Sequence, residues 1–218
     1  MDFTTFTEVD EDSAISKTSS TITVVNAYPR QKEYYVYKDM GTGYWNADFE
    51  INVDVYIGPV DDNALFIVFM LSNFIGDAFD HQIGTKDYLK LQFYRSGASY
   101  TITFQERNSA SVVSDYGTFT ASTNYYFTIK RDEAVGTYGT AYCYVYSDSD
   151  REILIDTLTI TLTEKQDFRY IYGFSVYNNE NDSAQMSCNV SNLELIDPMP
   201  SASISPSPSV SPSISPSV

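Results

Sequence analysis

The chain has 218 residues, of which 43% are hydrophobic and 15% aromatic, and its formal net charge at pH 7 is −16. This length suits one domain with a complete core. The negative charge argues against binding to nucleic acid or to anionic lipid, because like charges repel. No apolar run approaches the length that spans a membrane, and the 19 Tyr and 13 Phe favour strands over helices.

Two short strands are predicted first, at residues 21–25 and 33–38. The clearest strand signal follows at residues 48–57, where hydrophobic residues occupy every second position: Phe49, Ile51, Val53, Val55 and Ile57. A period of two predicts a strand with one buried face and one solvent-facing face. Residues 64–71 are apolar at every position, which predicts a central strand covered on both faces.

The remaining predicted strands are residues 88–94, 99–105, 124–130, 140–147, 151–156, 157–163, 170–177 and 187–196. About a dozen strands joined by short turns, with no long helical period, predict an all-β fold: an antiparallel β-sandwich of the jelly-roll kind. We expect this domain to cover residues 1–197, and residues 198–218 to form a Ser/Pro-rich extended arm.

The order of these segments resembles the concanavalin A-like, laminin-G-like jelly rolls. The resemblance is carried by Asp-Phe-Glu-Ile-Asn-Val-Asp-Val at residues 48–55, the apolar strand after it, Ala-Tyr-Cys-Tyr-Val-Tyr-Ser-Asp at 141–148 and Val-Ser-Asn-Leu-Glu-Leu-Ile at 190–196. It implies a β-sandwich of the kind found in extracellular adhesion and appendage proteins. Because this superfamily also serves lectins and glycosidases, the resemblance implies no single function.

The catalytic signals in the sequence are weak. Glu50, Asn52 and Asp54 resemble the E-x-D-x-E strand motif of jelly-roll glucanases, with two of its acidic positions changed. Retaining hydrolysis needs carboxyl groups about 5 to 5.5 Å apart, whereas residues i and i+4 of a strand lie about 13 Å apart. His81 is the only histidine, so no His pair can form a triad or a metal site. We therefore expect the chain not to be an enzyme.

We expect no cofactor. Calcium is the alternative, because it takes oxygen ligands and several acidic residues lie in predicted loops. These residues are Asp61, Asp62, Asp77, Asp80, Asp148 and Asp150. None follows an EF-hand spacing, and some members of the resembled superfamily bind calcium. Solvated aspartates in turns are the favoured interpretation.

Tyr142, Tyr144 and Tyr146 share one face of a predicted strand. A row of exposed tyrosines can stack on sugar rings, and this pattern supports a carbohydrate-binding module. The alternative is that the tyrosine face belongs to the core. The sequence does not decide which face lies inside.

The two cysteines, Cys143 and Cys188, both lie in predicted strands. If those strands are neighbours, a disulfide between them would be worth about 3 to 4 kcal/mol; as free thiols both would be small buried hydrophobes. The disulfide is favoured because the sequence also carries N-glycosylation sequons. The sequons at Asn181 and Asn189 allow N-glycosylation of an exported protein. Asn181 is the better candidate, because Asn189 lies in a strand and its side chain must face outward.

Residues 201–218 have Ser at every odd position and Pro or a small apolar residue at the even ones. The prolines exclude a helix and favour an extended chain, in which Ile204, Val210, Ile214 and Val218 lie on one side. A flexible or O-glycosylated linker is the simple interpretation. An arm of about 55 Å, at about 3.1 Å per residue, can also reach a neighbouring copy.

We therefore expect a structural protomer of an extracellular filament or appendage, located outside the cell or on a cell or virion surface. Copies would assemble head to tail through the C-terminal arm, so the partner is the chain itself, with glycans as a further partner. The alternative is a carbohydrate-binding or adhesion module with a Ser/Pro linker. Neither function involves nucleic acid or membrane insertion.

Overall fold

The computed structural model describes residues 1–27, 32–83, 86–109, 111–178 and 184–196. These residues form fourteen strands, a short 3-10 helix at Phe3–Thr5 and one α-helix, α1, at Ala78–Ile83. The strands are β1 Thr7–Asp10, β2 Ile15–Lys17, β3 Thr21–Ala27, β4 Tyr34–Asp39, β5 Phe49–Val60, β6 Ala64–Ser72, β7 Tyr88–Ser96, β8 Ser99–Asn108, β9 Ser111–Thr118, β10 Thr123–Asp132, β11 Thr140–Tyr146, β12 Leu154–Thr161, β13 Tyr170–Asn178 and β14 Met186–Ile196.

The strands form two antiparallel sheets of seven strands each. The first sheet has the order β1-β4-β13-β6-β7-β8-β9, and the second has the order β12-β11-β10-β5-β14-β3-β2. Their facing side chains form one hydrophobic core. The predicted all-β antiparallel sandwich is therefore confirmed.

The strongest sequence signals gave the right strands. In β5 the predicted hydrophobic positions are all buried, and in β6 every residue except Leu65 is buried. The sequence pattern did not indicate β1, β2 or β9, and it predicted β12 as two strands. These segments are short or lack alternation, because edge strands meet a neighbour on one side only and tolerate irregular patterns. It also treated α1 as loop, since six residues are too few to show a helical period.

The two cysteines are free thiols, both buried in the core. Cys143 lies in β11 and Cys188 in β14, and two further strands, β10 and β5, separate them in the second sheet. At about 4.8 Å per strand the separation is far beyond the span of a disulfide. The favoured disulfide is therefore wrong, and the alternative of two small buried hydrophobes holds.

Candidate functional site

The candidate site is the outer face of the first sheet, the face turned away from the core. Strand alternation places every second residue there, and the pairing register aligns these residues in rows across the strands. The central row contains Tyr37, Tyr172, Met70, Lys90, Gln105 and Ser114. The row on the α1 side contains Tyr170, Ser72, Tyr88, Arg107 and Val112. The third row contains Tyr35, Ser175, Ile67, Gln92, Thr103 and Tyr116.

Four tyrosines form one end of this face. The ring centroids of Tyr35 and Tyr37 are 5.8 Å apart, and those of Tyr37 and Tyr172 are 5.7 Å apart. Tyr170 packs edge-on against Tyr37 at 6.0 Å. These residues belong to a second, smaller hydrophobic cluster, separate from the main core. The face is therefore aromatic and only partly solvated.

Lys90 lies at the centre of this face and is only 2% exposed. Its ammonium group lies 4.6 Å from the centroid of the Tyr88 ring, a cation–π contact. Within the part of the chain that the structure describes, Nζ has no hydrogen bond or ion pair. Burial, and then the nearby charge of Arg107, lower the pKa of Lys90 from its ordinary 10.5 to about 7. Near neutral pH a substantial fraction of this lysine is therefore a free amine.

Hydrogen bonds fix the groups around Lys90. The Tyr88 hydroxyl donates to Gln105 Oε1 at 2.7 Å, and Gln105 Nε2 donates to Ser114 Oγ at 2.8 Å. Arg107 is half-buried, and its Nη1 donates to the carbonyl of Gln82 at 2.7 Å. Arg107 thus supplies a positive charge near the Lys90 amine, and uncharged partners hold Tyr88, Gln105 and Arg107 in place.

Helix α1 closes one side of the face through His81, which is fully buried. Its Nδ1–H donates to the carbonyl of Asp77 at 2.7 Å, and its Nε2 shares a hydrogen bond of 3.1 Å with Ser72 Oγ. Burial lowers the pKa of His81 and favours the neutral ring. The only histidine is thus a structural residue that docks α1 onto the sheet.

The residues of the glucanase-like pattern lie on the outer face of the second sheet. Asp54 accepts hydrogen bonds from Arg151 Nη2 at 2.5 Å and from Asn192 Nδ2 at 2.6 Å, and Asn52 Oδ1 accepts one from Thr128 at 2.7 Å. Both side chains are already engaged. The pattern does not form a pair of free carboxylates.

The structure decides the orientation of the tyrosine row in β11. Ala141, Cys143 and Val145 are buried in the core. Tyr142, Tyr144 and Tyr146 point outward and are half-buried, and the rings of the first two are nearly parallel at 5.9 Å. The row therefore lies on the outer face of the second sheet, on the side of the sandwich opposite Lys90.

The acidic loop residues accept hydrogen bonds from backbone amides. Asp62 Oδ1 accepts from Gly97 N at 2.5 Å, and Asp148 Oδ1 accepts from Ile153 N at 2.7 Å. Among the described residues, no group of three or more His, Cys, Asp or Glu side chains could hold a metal ion. Asp61, Asp62, Asp77 and Asp148 thus organise turns and caps.

Two sets of predicted residues lie wholly or partly outside the described chain. Asn181 and the arm residues Ile204, Val210, Ile214 and Val218 are outside it. Asn189 is described: it lies on the outer face of the second sheet opposite Tyr56 and is partly exposed. Its side chain faces outward, as glycosylation requires, and a glycan on Asn189 stays a prediction.

Comparison with known proteins gives likeness in fold only. No protein-family model and no curated protein matches the chain. Among solved structures, the alginate lyase Aly36B is 15% identical, with 90% of this chain and 88% of the lyase covered and a TM-score of 0.59. The PL-14 alginate lyase from Aplysia kurodai is 9% identical, with 90% and 92% covered and a TM-score of 0.59. A CBM2 module of the evolved Dit from Lactobacillus casei BL23 phage J-1 is 11% identical, with 87% and 90% covered and a TM-score of 0.55.

These likenesses change two expectations. The resemblance to concanavalin A-like, laminin-G-like domains is confirmed only as a β-sandwich, since the similar structures named above are alginate lyases and a CBM2 module. The expectation that the chain is not an enzyme is overturned, because its fold is also that of alginate lyases.

Among the described residues, no helix has both the length and the apolar character that a membrane span requires.

Proposed function

We propose that this protein binds an acidic polysaccharide on the outer face of the first sheet and cleaves it by β-elimination, outside the cell. The observation that carries the proposal is Lys90, a buried and unpaired amine at the centre of a face of aromatic, amide and cationic side chains. Support comes from the fold, which the chain shares with alginate lyases at low identity.

Elimination from a uronate needs three groups, and two adjacent strands supply them. Arg107 pairs with the sugar carboxylate and thereby makes the neighbouring C5–H more acidic. The free amine of Lys90 removes that proton, the electron pair forms the C4–C5 double bond, and the C4–O glycosidic bond breaks. Tyr88, whose ring lies 4.6 Å from Nζ, is the group that we assign to protonate the departing oxygen, its hydroxyl turning away from Gln105 Oε1 to do so. The proton gained by Lys90 then returns to the Tyr88 oxygen and restores both groups.

The depressed pKa of Lys90 suits this role. A lysine at its ordinary pKa is almost fully protonated at neutral pH and cannot accept a proton, whereas a pKa of about 7 makes the amine an effective base. The mechanism needs neither a pair of carboxylates nor a histidine, so the absence of those signals in the sequence does not weigh against it.

The net charge of −16 opposes the approach of a polyanion. Screening limits this repulsion to about 8 Å at physiological ionic strength. None of the residues in the three rows is acidic, so at contact the sugar carboxylate meets the guanidinium group of Arg107. Local attraction therefore outweighs the distant charges on the rest of the surface.

The test is the cleavage of alginate by the full chain, followed through the ultraviolet absorbance of the new double bond. We expect Lys90→Met to lower kcat by at least about 100-fold, the typical contribution of a general base. The rate of the unchanged protein should rise as the pH increases through about 7, because the amine is then deprotonated.

The matched control is the double variant Tyr142→Ser, Tyr144→Ser on the opposite side of the sandwich. It should keep the activity within about twofold, since surface changes away from a site have small effects. If the control loses polysaccharide binding while Lys90→Met keeps it, the tyrosine row is the binding surface and our assignment of the face is wrong. If the protein binds alginate but releases no unsaturated product, it is a carbohydrate-binding module and not a lyase.

The filament role of the C-terminal arm stays a prediction, because residues 201–218 lie outside the described residues. Deleting these residues should leave a folded protein with unchanged cleavage, since the two sheets are complete at Ile196. Electron micrographs should show filaments of the full chain and none of the deletion variant. Filaments of unchanged subunit spacing in both would leave the arm as a linker.

A further inference from the structure

Two buried polar atoms on the outer face of the first sheet have no hydrogen-bond partner among the described residues: Gln92 Oε1 and Ser175 Oγ. Both lie in the third row, on either side of Ile67. A buried acceptor or hydroxyl without a partner is unfavourable, so most are paired in folded proteins. Both atoms are buried, but Gln92 as a residue is partly exposed whereas Ser175 is fully buried, so only the Gln92 side chain can turn its amide toward a ligand.

On the side of β8 and β9, the neighbours of Gln92 are residues that can contact a sugar. Thr103 lies directly opposite Gln92 in β8, and Tyr116 lies opposite Thr103 in β9. Tyr116 is 63% exposed, and an exposed tyrosine on a sheet edge offers a ring face for stacking. Gln92 and Tyr116 are about 10 Å apart at about 4.8 Å per strand, and Thr103 between them is buried, so a sugar would contact the side chains of Gln92 and Tyr116.

The chemistry of this row differs from that of the row on the α1 side. The third row contains no charged residue, and Gln92 Oε1 accepts hydrogen bonds and cannot donate them. A sugar hydroxyl can supply the missing donor, whereas a carboxylate cannot. The row on the α1 side contains Arg107, which favours a carboxylate. The Lys90 row lies between the two, about 6.6 Å from each, the length of two strand residues.

We infer that Gln92, Thr103 and Tyr116 form a subsite that binds the hydroxyl-bearing edge of a pyranose next to the reacting sugar. This inference rests on the proposed function and assigns the orientation of the substrate: its carboxylate faces Arg107 and its hydroxyls face Gln92. The subsite takes an uncharged hydroxyl group and discriminates against a sugar whose hydroxyls are esterified.

The test measures binding by calorimetry in the Lys90→Met background, which separates it from cleavage. The probes are an alginate tetrasaccharide and the same tetrasaccharide with its hydroxyls acetylated. Gln92→Leu should weaken binding of the first probe by about tenfold, the loss expected for one hydrogen bond. It should also raise the Tm of the ligand-free protein by about 2 to 4 °C, because a buried unpaired acceptor is removed.

Ser175→Ala is the matched control. It removes the other unpaired atom, so it should raise Tm similarly, but it should not change the affinity, because no ligand reaches a fully buried side chain. The Gln92→Leu variant should bind the two probes equally, whereas the protein with Gln92 should prefer the free hydroxyls.

Each other outcome overturns the inference. If Gln92→Leu and Ser175→Ala change affinity equally, or if neither does, Gln92 is not a ligand contact. The inference also fails if the protein with Gln92 binds the acetylated and the free tetrasaccharide equally well, or if it binds neither probe. A subsite that passes these tests in a protein that releases no unsaturated product would stand, while the proposed elimination would fail.

Discussion

Replacing Lys90 by methionine is expected to raise the free energy of unfolding at pH 6, although the same change removes the proposed base. Burial and the charge of Arg107 lower the pKa of Lys90 from 10.5 to about 7 in the folded protein. In the unfolded chain the pKa returns to about 10.4. At pH 6 the lysine is protonated in both states, and its charge in the folded state costs up to about 5 kcal/mol. Methionine removes that cost and fills a similar volume.

The sign of the pH dependence follows from proton linkage. Between about pH 7 and 10 the unfolded chain binds a proton at Lys90 that the folded protein has released, so the stability of the unchanged protein rises with pH. The methionine variant lacks this rise. Its advantage at pH 6 should therefore exceed its advantage at pH 10 by about 2 kcal/mol or more.

Urea denaturation at the two pH values measures both quantities. Lys165→Met, at an exposed lysine, is the control and should change stability by no more than about 0.5 kcal/mol at either pH. If the difference in the free energy of unfolding between Lys90→Met and the unsubstituted protein is the same at both pH values, this amine keeps its ordinary pKa. The base that we assign would then be protonated at neutral pH, and the proposed mechanism would lose its support.

Replacing Arg131 by methionine is expected to lower the free energy of unfolding by about 3 kcal/mol. Arg131 is 1% exposed, and its Nη1 donates to the carbonyls of Gln166 at 2.8 Å and Trp45 at 3.2 Å. It thereby joins two loop segments to the end of β10. Methionine leaves both carbonyls without this partner inside the protein, and each buried unpaired group costs about 1 to 3 kcal/mol.

Denaturant titration of Arg131→Met tests this expectation, with Glu133→Gln as its control. Glu133 accepts from Arg131 Nη2 at 2.9 Å, but its side chain is 33% exposed, so its loss should cost less than about 1 kcal/mol. A stability of Arg131→Met within about 1 kcal/mol of the unchanged protein would mean that other contacts hold these segments.

The buried environment of Lys90 could not be predicted from the sequence. The alternation in residues 88–94 assigns Leu89, Leu91 and Phe93 to the core and Lys90 to the opposite face. A lysine on the opposite face of a strand is ordinarily solvated. A hint lay in β6, which is apolar at nearly every position, so a strand of this sheet had to be covered on its outer face as well. The sequence could not show that β6 is the neighbour of β7.

Most strand positions and the inward or outward direction of most side chains were determined by the sequence alone, because alternation is a local property of an extended chain. Phe49 to Ile57 illustrates this, since the predicted inward positions are all buried. The order of the strands was decided only by the tertiary structure, because pairing joins residues far apart in the chain. That order separates Cys143 from Cys188 and surrounds Lys90 with Met70, Tyr88 and Gln105. The pKa of a lysine depends on this surrounding dielectric and charge, which no local pattern contains.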